Sequence, residues 1–204
     1  MQLKISSITN LTDARFFSAI GAHYLGFCFD VLNPNNISIE KAKEIIGWLH
    51  EPVVVGEFGT HQSKEEIEFI AQQMGLNEIQ LPYEHPQKNE FIFEKFLLTD
   101  DWFHIDNQQS SDFFVLRIGK DEIDELLKQV QQDGTGLSDS LRSLQQFICN
   151  KKVFIETDFT KENIVSILET LQPYGIQLTC KQEERAGISA VDEYAELLEI
   201  IGFS

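Results

Sequence analysis

Residues 24–58 read YLGFCFDVLNPNNISIEKAKEIIGWLHEPVVVGEF, and this stretch decides the class of fold. Its first six residues form an apolar, aromatic run of strand length, and residues 52–58 form a second run that is rich in valine. Between them, residues 38–48 carry apolar side chains at helical spacing. A strand, a helix and a second strand in this order are typical of a βαβ unit, whose two strands lie parallel.

The same alternation continues on both sides of this stretch. Upstream, a strand over residues 3–5 precedes a helix whose cap is either Asn10 or Thr12. Downstream, the capping-box sequence of residues 63–66 opens a helix, and residues 78–81 form the next strand. The strands are apolar almost throughout, which indicates a parallel sheet that helices cover on both faces.

The second half of the chain completes eight strands. Residues 91–98 and 113–118 are the fifth and sixth predicted strands, although no clear helix precedes either. The later predicted elements are helices over 121–132 and 138–148, a strand over 152–156, a helix over 160–171 capped by Thr160, a strand over 175–179 and a helix over 191–201.

This series predicts a single (β/α)₈ barrel domain over residues 1–204, of minimal length and irregular around units 4 to 6. Because such barrels typically have ~250 residues, an open doubly wound sheet with a long insertion is the alternative.

Composition narrows the classes of function. The chain has 42% apolar and 24% charged residues, which excludes disorder, and a net charge of -17, which disfavours nucleic acid and anionic membrane partners. No apolar run approaches the ~20 residues of a membrane span or resembles a signal-peptide core, so we expect a cytoplasmic protein. Cys28, Cys149 and Cys180 lack the spacing of a metal site, so we expect three buried thiols and no metal.

Short motifs along nearly the whole chain resemble the phosphoribosylanthranilate isomerase family of tryptophan biosynthesis. Residues 4–14, KISSITNLTDA, resemble the family's K-I-C-G-I-T-N-L-E-D-A, and residues 21–29, GAHYLGFCF, resemble its G-A-D-A-L-G-F-V-F. Shorter matches are 55–58 with V-G-V-F, 79–81 with V-Q-L-H-G, 161–164 with N-P-E-N-V and 173–176 with R-P-Y-G-V, whereas residues 91–152 align poorly. The resemblance implies a (β/α)₈ barrel with its ligand site at the carboxyl ends of the strands.

The resemblance also implies a reaction. The family converts a phosphoribosyl aminoaldose to a ketose by an Amadori rearrangement, without a metal or organic cofactor, and the reaction needs a general acid and a general base. The family's base is a cysteine at the end of strand one, where this chain has Ser6. Its acid is an aspartate at the end of strand six, which falls on Arg117 if residues 113–116 form that strand and on Asp106 if residues 103–106 form it. We favour the alignment with Arg117.

Both catalytic substitutions weaken proton transfer. A lone hydroxyl cannot replace a thiolate base unless a neighbouring group activates it, and no histidine lies near Ser6 in the sequence. A guanidinium stays protonated and is a poor proton donor, so Arg117 is no substitute for a carboxylic acid.

The positions that bind ligand in the family are substituted as well. By resemblance, Asn35 stands where an arginine holds the anthranilate carboxylate. Thr157 and Asp158 replace the glycine pair that cradles phosphate, and the added carboxylate repels an anion. The segment after strand eight, S-S-G in the family, is Thr179, Cys180 and Lys181, and the loop Gly134, Thr135 and Gly136 matches the family's G-T-G.

Two hypotheses about function follow. The first is a diverged isomerase-like barrel that has lost the Amadori isomerisation and binds another small ligand or a protein partner. The second is an active phosphoribosylanthranilate isomerase, or a related aminoaldose-ketose isomerase, that has recruited Asp106 or another carboxylate. Both expect a small molecule or phosphorylated sugar as ligand, with no cofactor, nucleic acid or membrane; no pattern favours a particular oligomeric state. The substitutions favour the first hypothesis.

Overall fold

The structure is a computed structural model that describes residues 1–105, 111–132, 139–180 and 190–203. Its eight strands are parallel and close into a barrel in chain order, with β8 bonded to β1 from Gln2–Gly175 to Ser6–Thr179. The strands are β1 (Gln2–Ser6), β2 (Tyr24–Cys28), β3 (Val53–Glu57), β4 (Glu78–Pro82), β5 (Glu94–Thr99), β6 (Phe113–Arg117), β7 (Val153–Glu156) and β8 (Gly175–Thr179). The predicted (β/α)₈ barrel is confirmed, and the open doubly wound sheet is wrong because the sheet has no free edge.

Helices surround the barrel. Those in the described part of the chain are α1 (Leu11–Ala19), α2 (Ile39–Ile46), α3 (Lys64–Met74), α4 (Lys120–Gln132), α5 (Asp139–Asn150), α6 (Ile164–Leu171) and α7 (Ala190–Ile200). Within those described residues no α-helix separates β4 from β5 or β5 from β6, which agrees with the irregular units 4 to 6. In the same part of the chain, no helix combines the length and the apolar character that crossing a bilayer requires.

Side-chain caps start several helices where the sequence predicts them. Asn10, rather than Thr12, caps α1, because its Oδ1 accepts the backbone N–H of Asp13 at 2.8 Å. Ser63 caps α3 by accepting the N–H of Glu66 at 3.2 Å, as its capping-box sequence predicts.

Helix α6 begins later than predicted. The Thr160 N–H donates to Asn163 Oδ1 at 2.8 Å, and the Asn163 N–H donates to Thr160 Oγ1 at 3.3 Å. These reciprocal bonds have the geometry of a capping box over residues 160–163, as a cap at Thr160 predicts, but the regular helix starts only at Ile164.

Successive residues of each strand face opposite sides of the barrel wall. Outward residues such as Leu3 and Ile5 pack beneath the helices in the larger apolar core. Inside the barrel, a plug of mostly aromatic side chains fills the amino-terminal end: Tyr24, Val55, Phe96, Leu98, Phe113, Val115, Phe154 and Tyr174. The rings of Phe96 and Phe113 stack at 4.4 Å between centroids. The plug leaves the carboxyl end of the barrel for polar side chains.

Candidate functional site

Ser6, at the end of β1, is held inside the barrel by Glu57, at the end of β3. The Ser6 hydroxyl donates to Glu57 Oε2 at 2.9 Å, and the backbone N–H of Ser7 donates to the same oxygen at 3.0 Å. The ammonium group of Lys4 lies 2.7 Å from the other oxygen, Oε1. All four residues are at most 5% exposed. The Glu57 carboxylate therefore has three close donors in a site that excludes water.

This arrangement supplies the neighbour that sequence analysis could not find for Ser6. A carboxylate beside a hydroxyl is a potential proton acceptor. In this case, however, Lys4 and the Ser7 N–H already occupy acceptor positions on Glu57, so the carboxylate is engaged in holding the barrel interior together. Charge-assisted bonds of this length are among the stronger polar contacts in proteins.

Backbone geometry around Glu57 is adapted to its carboxylate. Gly26 on β2 leaves room for the Glu57 carboxylate, because a Cβ at that position would overlap Glu57 Oε1. Ser7 has φ +61°, in the left-handed region that costs a non-glycine residue on the order of 1 kcal/mol. The family motif has glycine at this position, whereas here the Ser7 N–H bond to Glu57 stabilises the strained conformation.

No other thiol near the barrel mouth replaces the missing cysteine. Burial is the main reason that the pKa of the Cys28 thiol is raised to about 12; a backbone hydrogen bond at Asp30 and the charge of Lys4 lower it, and the carboxylates of Glu57 and Asp30 raise it. Burial likewise raises the pKa of Cys180 well above its usual range. Both thiols therefore stay protonated near neutral pH. The expectation of three buried thiols is right for Cys28 and Cys180 and wrong for Cys149, which is exposed near the end of α5.

The sixth strand is β6, and Arg117 is its last residue. The structure therefore agrees with the alignment in which residues 113–116 belong to strand six and the family's acid position falls on Arg117. Its guanidinium bonds the carboxylate of Glu156 on β7 through Nε to Oε2 at 3.2 Å and Nη2 to Oε1 at 3.4 Å. Thr179 Oγ1 and Gln177 Nε2 donate to the same carboxylate at 2.8 and 3.1 Å. Arg117 and Glu156 therefore form a hydrogen-bonded ion pair at the position where the resemblance predicts the family's acid.

A cavity of about 470 Å³ lies at the carboxyl ends of β6, β7 and β8. Its volume falls within the range of small-molecule sites. Polar lining residues include Arg117, Lys120, Glu156, Thr157, Asp158, Gln177 and Thr179, and apolar surface comes from Ile118, Phe159, Leu178 and Tyr194. Because β8 pairs Thr179 with Ser6, the cavity and the Ser6–Glu57 cluster lie on neighbouring strands.

The structure brings several predicted site residues together. Arg117, Thr157, Asp158 and Thr179 all line the cavity. Asn35 lies on another side of the mouth, where its Nδ2 donates to the backbone oxygen of Cys180 at 3.2 Å.

The Cys180 side chain packs in the apolar core and not in the cavity, so only its backbone is available at the mouth. Asp106, Gly134, Thr135, Gly136 and Lys181 lie outside the described residues. The ligand-binding roles of all these residues remain predictions.

Sequence reasoning missed Glu57 and Glu156. A signal for Glu57 was present, since it stands where the family's V-G-V-F has valine, and Lys4 places an opposite charge inside another apolar strand. Two charges of opposite sign in buried strands need each other as partners. Among the described residues, no group of three or more His, Cys, Asp or Glu side chains is arranged to hold a metal ion.

Comparison with known proteins agrees with this architecture. The family model described as N-(5'phosphoribosyl)anthranilate (PRA) isomerase matches residues 3–197. An N-(5'-phosphoribosyl)anthranilate isomerase from Rubrobacter xylanophilus is 26% identical over 197 residues, covering 91% of each chain, and one from Gloeothece citriformis is 29% identical, covering 98% of this chain and 93% of the relative.

Solved structures extend the comparison to the fold. The crystal structure of phosphoribosyl anthranilate isomerase from Thermus thermophilus superposes with a TM-score of 0.75 at 22% identity and covers 98% of both chains. At this identity the superposition supports the barrel alone, and the match to the family model carries the assignment. The chain belongs to the N-(5'-phosphoribosyl)anthranilate isomerase family.

Proposed function

We propose that this chain is a diverged member of its family that binds a small molecule at the mouth of the barrel and does not isomerise phosphoribosylanthranilate. One observation carries the proposal. The hydroxyl at the family's base position is bonded to a carboxylate that Lys4 and Ser7 already engage. Among the described residues at the end of β1, the carboxylate beside this hydroxyl is buried and already accepts three donors, which disfavours its action as a base.

The opposite side of the mouth supports the same conclusion. Ring opening needs a general acid, which must carry a proton it can give up. Arg117 cannot do so near neutral pH, and its charge is compensated by Glu156 at 3.2 Å. In this proposal the cavity at β6, β7 and β8 retains binding, while the proton transfers of tryptophan biosynthesis are lost.

Steady-state kinetics test the proposal. Purified protein is mixed with freshly generated phosphoribosylanthranilate, and loss of the substrate's fluorescence is followed without added cofactor, with an active family member as positive control. We expect no rate above the spontaneous decay of the substrate. Turnover that Ser6→Ala abolishes would overturn the proposal.

A second candidate rests on the 2.9 Å bond between Ser6 and Glu57. If the chain is an active isomerase, Glu57 is the recruited carboxylate and receives the carbon-bound proton by way of the Ser6 hydroxyl. This function predicts that Glu57→Gln and Ser6→Ala each abolish turnover, while Glu68→Gln, at a partly exposed position of α3, leaves it unchanged. A tryptophan auxotroph that the wild-type gene rescues would give the same answer in cells.

A further inference from the structure

The cavity at β6, β7 and β8 has a lining that differs in charge from a phosphate site. Two cations, Arg117 and Lys120, are matched there by two carboxylates, Glu156 and Asp158. Arg117 and Glu156 neutralise each other directly at 3.2 Å. A bound phosphate would bring negative charge to lining residues that, in the described part of the chain, carry no excess positive charge, on a chain whose net charge is -17.

Two backbone amides beside the cavity are also engaged within the chain. Phosphate sites commonly use the free N–H groups at the start of a helix. Here the N–H of Phe159 donates to the Thr157 carbonyl at 2.9 Å, and the N–H of Thr160 donates to Asn163 Oδ1 at 2.8 Å. Two backbone N–H groups of the segment that leads into α6 therefore already donate to acceptors within that segment.

Gln177 contributes an unused acceptor. It is 1% exposed, lines the cavity, and its Nε2 donates to Glu156 Oε2 at 3.1 Å. Because a carboxylate can only accept hydrogen bonds, the Gln177 amide must have its nitrogen, Nε2, toward Glu156. Its oxygen, Oε1, is then on the opposite side of the amide group. Gln177 Oε1 and Thr157 Oγ1 are buried and have no hydrogen-bond partner in the described part of the structure. Unsatisfied buried polar atoms are uncommon and call for a partner.

We propose that this cavity binds an unphosphorylated sugar, that is, an uncharged ring with several hydroxyl groups. Each hydroxyl both donates and accepts, so it can satisfy the Gln177 carbonyl oxygen, which a fully ionised phosphate cannot do. Phe159 and Tyr194 add aromatic surface on which the apolar face of a sugar packs. The inference rests on the proposed loss of isomerisation and adds the class of ligand that the remaining site takes.

Ligand-observed NMR tests this inference with three probes: D-ribose, ribose 5-phosphate and inorganic phosphate. We expect saturation transfer to ribose, binding of ribose 5-phosphate that is at least about tenfold weaker, and no displacement of ribose by phosphate. Equal or tighter binding of ribose 5-phosphate, or competition by inorganic phosphate, would show an anion site and overturn the inference. Failure of ribose to bind would overturn it as well.

A matched pair of variants locates the site. Gln177→Met removes the acceptor from the cavity and is expected to abolish the ribose signal. Gln80→Met is the control, because Gln80 is also buried with an unpartnered Oε1 but does not line the cavity. An equal loss in both variants, or no loss in Gln177→Met, would contradict the assignment; circular dichroism establishes that each variant is folded.

The binding result is independent of the kinetic one. Turnover of phosphoribosylanthranilate that depends on Ser6 would contradict the proposed function. If the protein shows no turnover but binds a phosphorylated probe more tightly than ribose, only the inferred class of ligand would be contradicted.

Discussion

At the scale of single residues, Glu57 is the centre of the polar cluster inside the barrel. Its carboxylate bonds Lys4, Ser6 and Ser7 in a buried site, so two opposite charges lie in an otherwise largely apolar interior. Replacing one partner of such a pair leaves the other charge buried without compensation.

Glu57→Gln is therefore expected to lower the free energy of unfolding by about 3–5 kcal/mol. The measurement is urea denaturation, with Glu68→Gln as control, because the side chains of the Lys64–Glu68 pair are partly exposed, by 27% and 43%, and its loss should cost no more than about 1 kcal/mol. Adding Lys4→Met to Glu57→Gln should recover part of the loss. If Glu57→Gln and Glu68→Gln lower the free energy of unfolding by equally small amounts, the buried Lys4–Glu57 pair is not important to the stability of the fold.

Alkaline pH should destabilise the protein through Cys28. Burial raises the pKa of this thiol from 9.0 to about 12 in the folded state. Between these values the unfolded chain releases a proton that the folded protein keeps, so the unfolded state binds fewer protons and the free energy of unfolding falls as pH rises.

The contribution of Cys28 is thus complete below about pH 9 and is lost progressively toward pH 12. Unfolding measured from pH 8 to 11 should show a smaller fall in Cys28→Ala than in the wild type. Cys149→Ala, which changes an exposed thiol, should keep the full slope. A slope unchanged in Cys28→Ala would contradict this origin.

At the scale of helices and strands, caps and turns decide where elements begin. Ser63→Ala removes the side-chain oxygen that accepts the Glu66 N–H and should cost about 0.5–2 kcal/mol of stability in thermal or urea unfolding. Ser143→Ala is the control, because Ser143 is exposed inside α5, where alanine is the better helix former. Comparable losses in the two variants would refute a specific capping role.

The sequence predicted elements well where the pattern is local. The capping box of α3 and the apolar strands follow from neighbouring residues, so they could be recognised without the structure. The exact start of α6 could not, because the reciprocal bonds of Thr160 and Asn163 close a turn before the regular helix begins at Ile164. The contact between Ser6 and Glu57 joins residues 51 positions apart, and only the closed barrel brings them together.

At the scale of the whole molecule, the barrel keeps its family's architecture. The resemblance predicts a change of chemistry at its mouth, because Thr157 and Asp158 stand where the family has the glycines that cradle phosphate, and Arg117 stands where it has an aspartate. Fold and chemistry can separate in this way because the aromatic plug and the outer helices stabilise the barrel independently of the strand ends. A single domain over residues 1–204, a cytoplasmic location and small-molecule partners remain predictions from the sequence.

Net charge adds a prediction at the same scale. With 33 acidic against 16 basic residues, long-range repulsion opposes the compact state. Added salt screens these exposed charges within about 8–10 Å near physiological ionic strength. The melting temperature should therefore rise on going from low to moderate sodium chloride, and equally in potassium chloride. A decrease would show that attractive surface pairs outweigh the repulsion.

Exchange of a carbon-bound hydrogen with solvent shows whether a proton acceptor works at the end of β1. The protein is incubated in D₂O with the ketose product of the family reaction, and NMR follows deuterium entering the carbon from which the reverse reaction must remove a proton. We predict incorporation no faster than in the absence of protein. Protein-dependent incorporation that disappears in Ser6→Ala would show a working proton acceptor at the end of β1 and contradict the account.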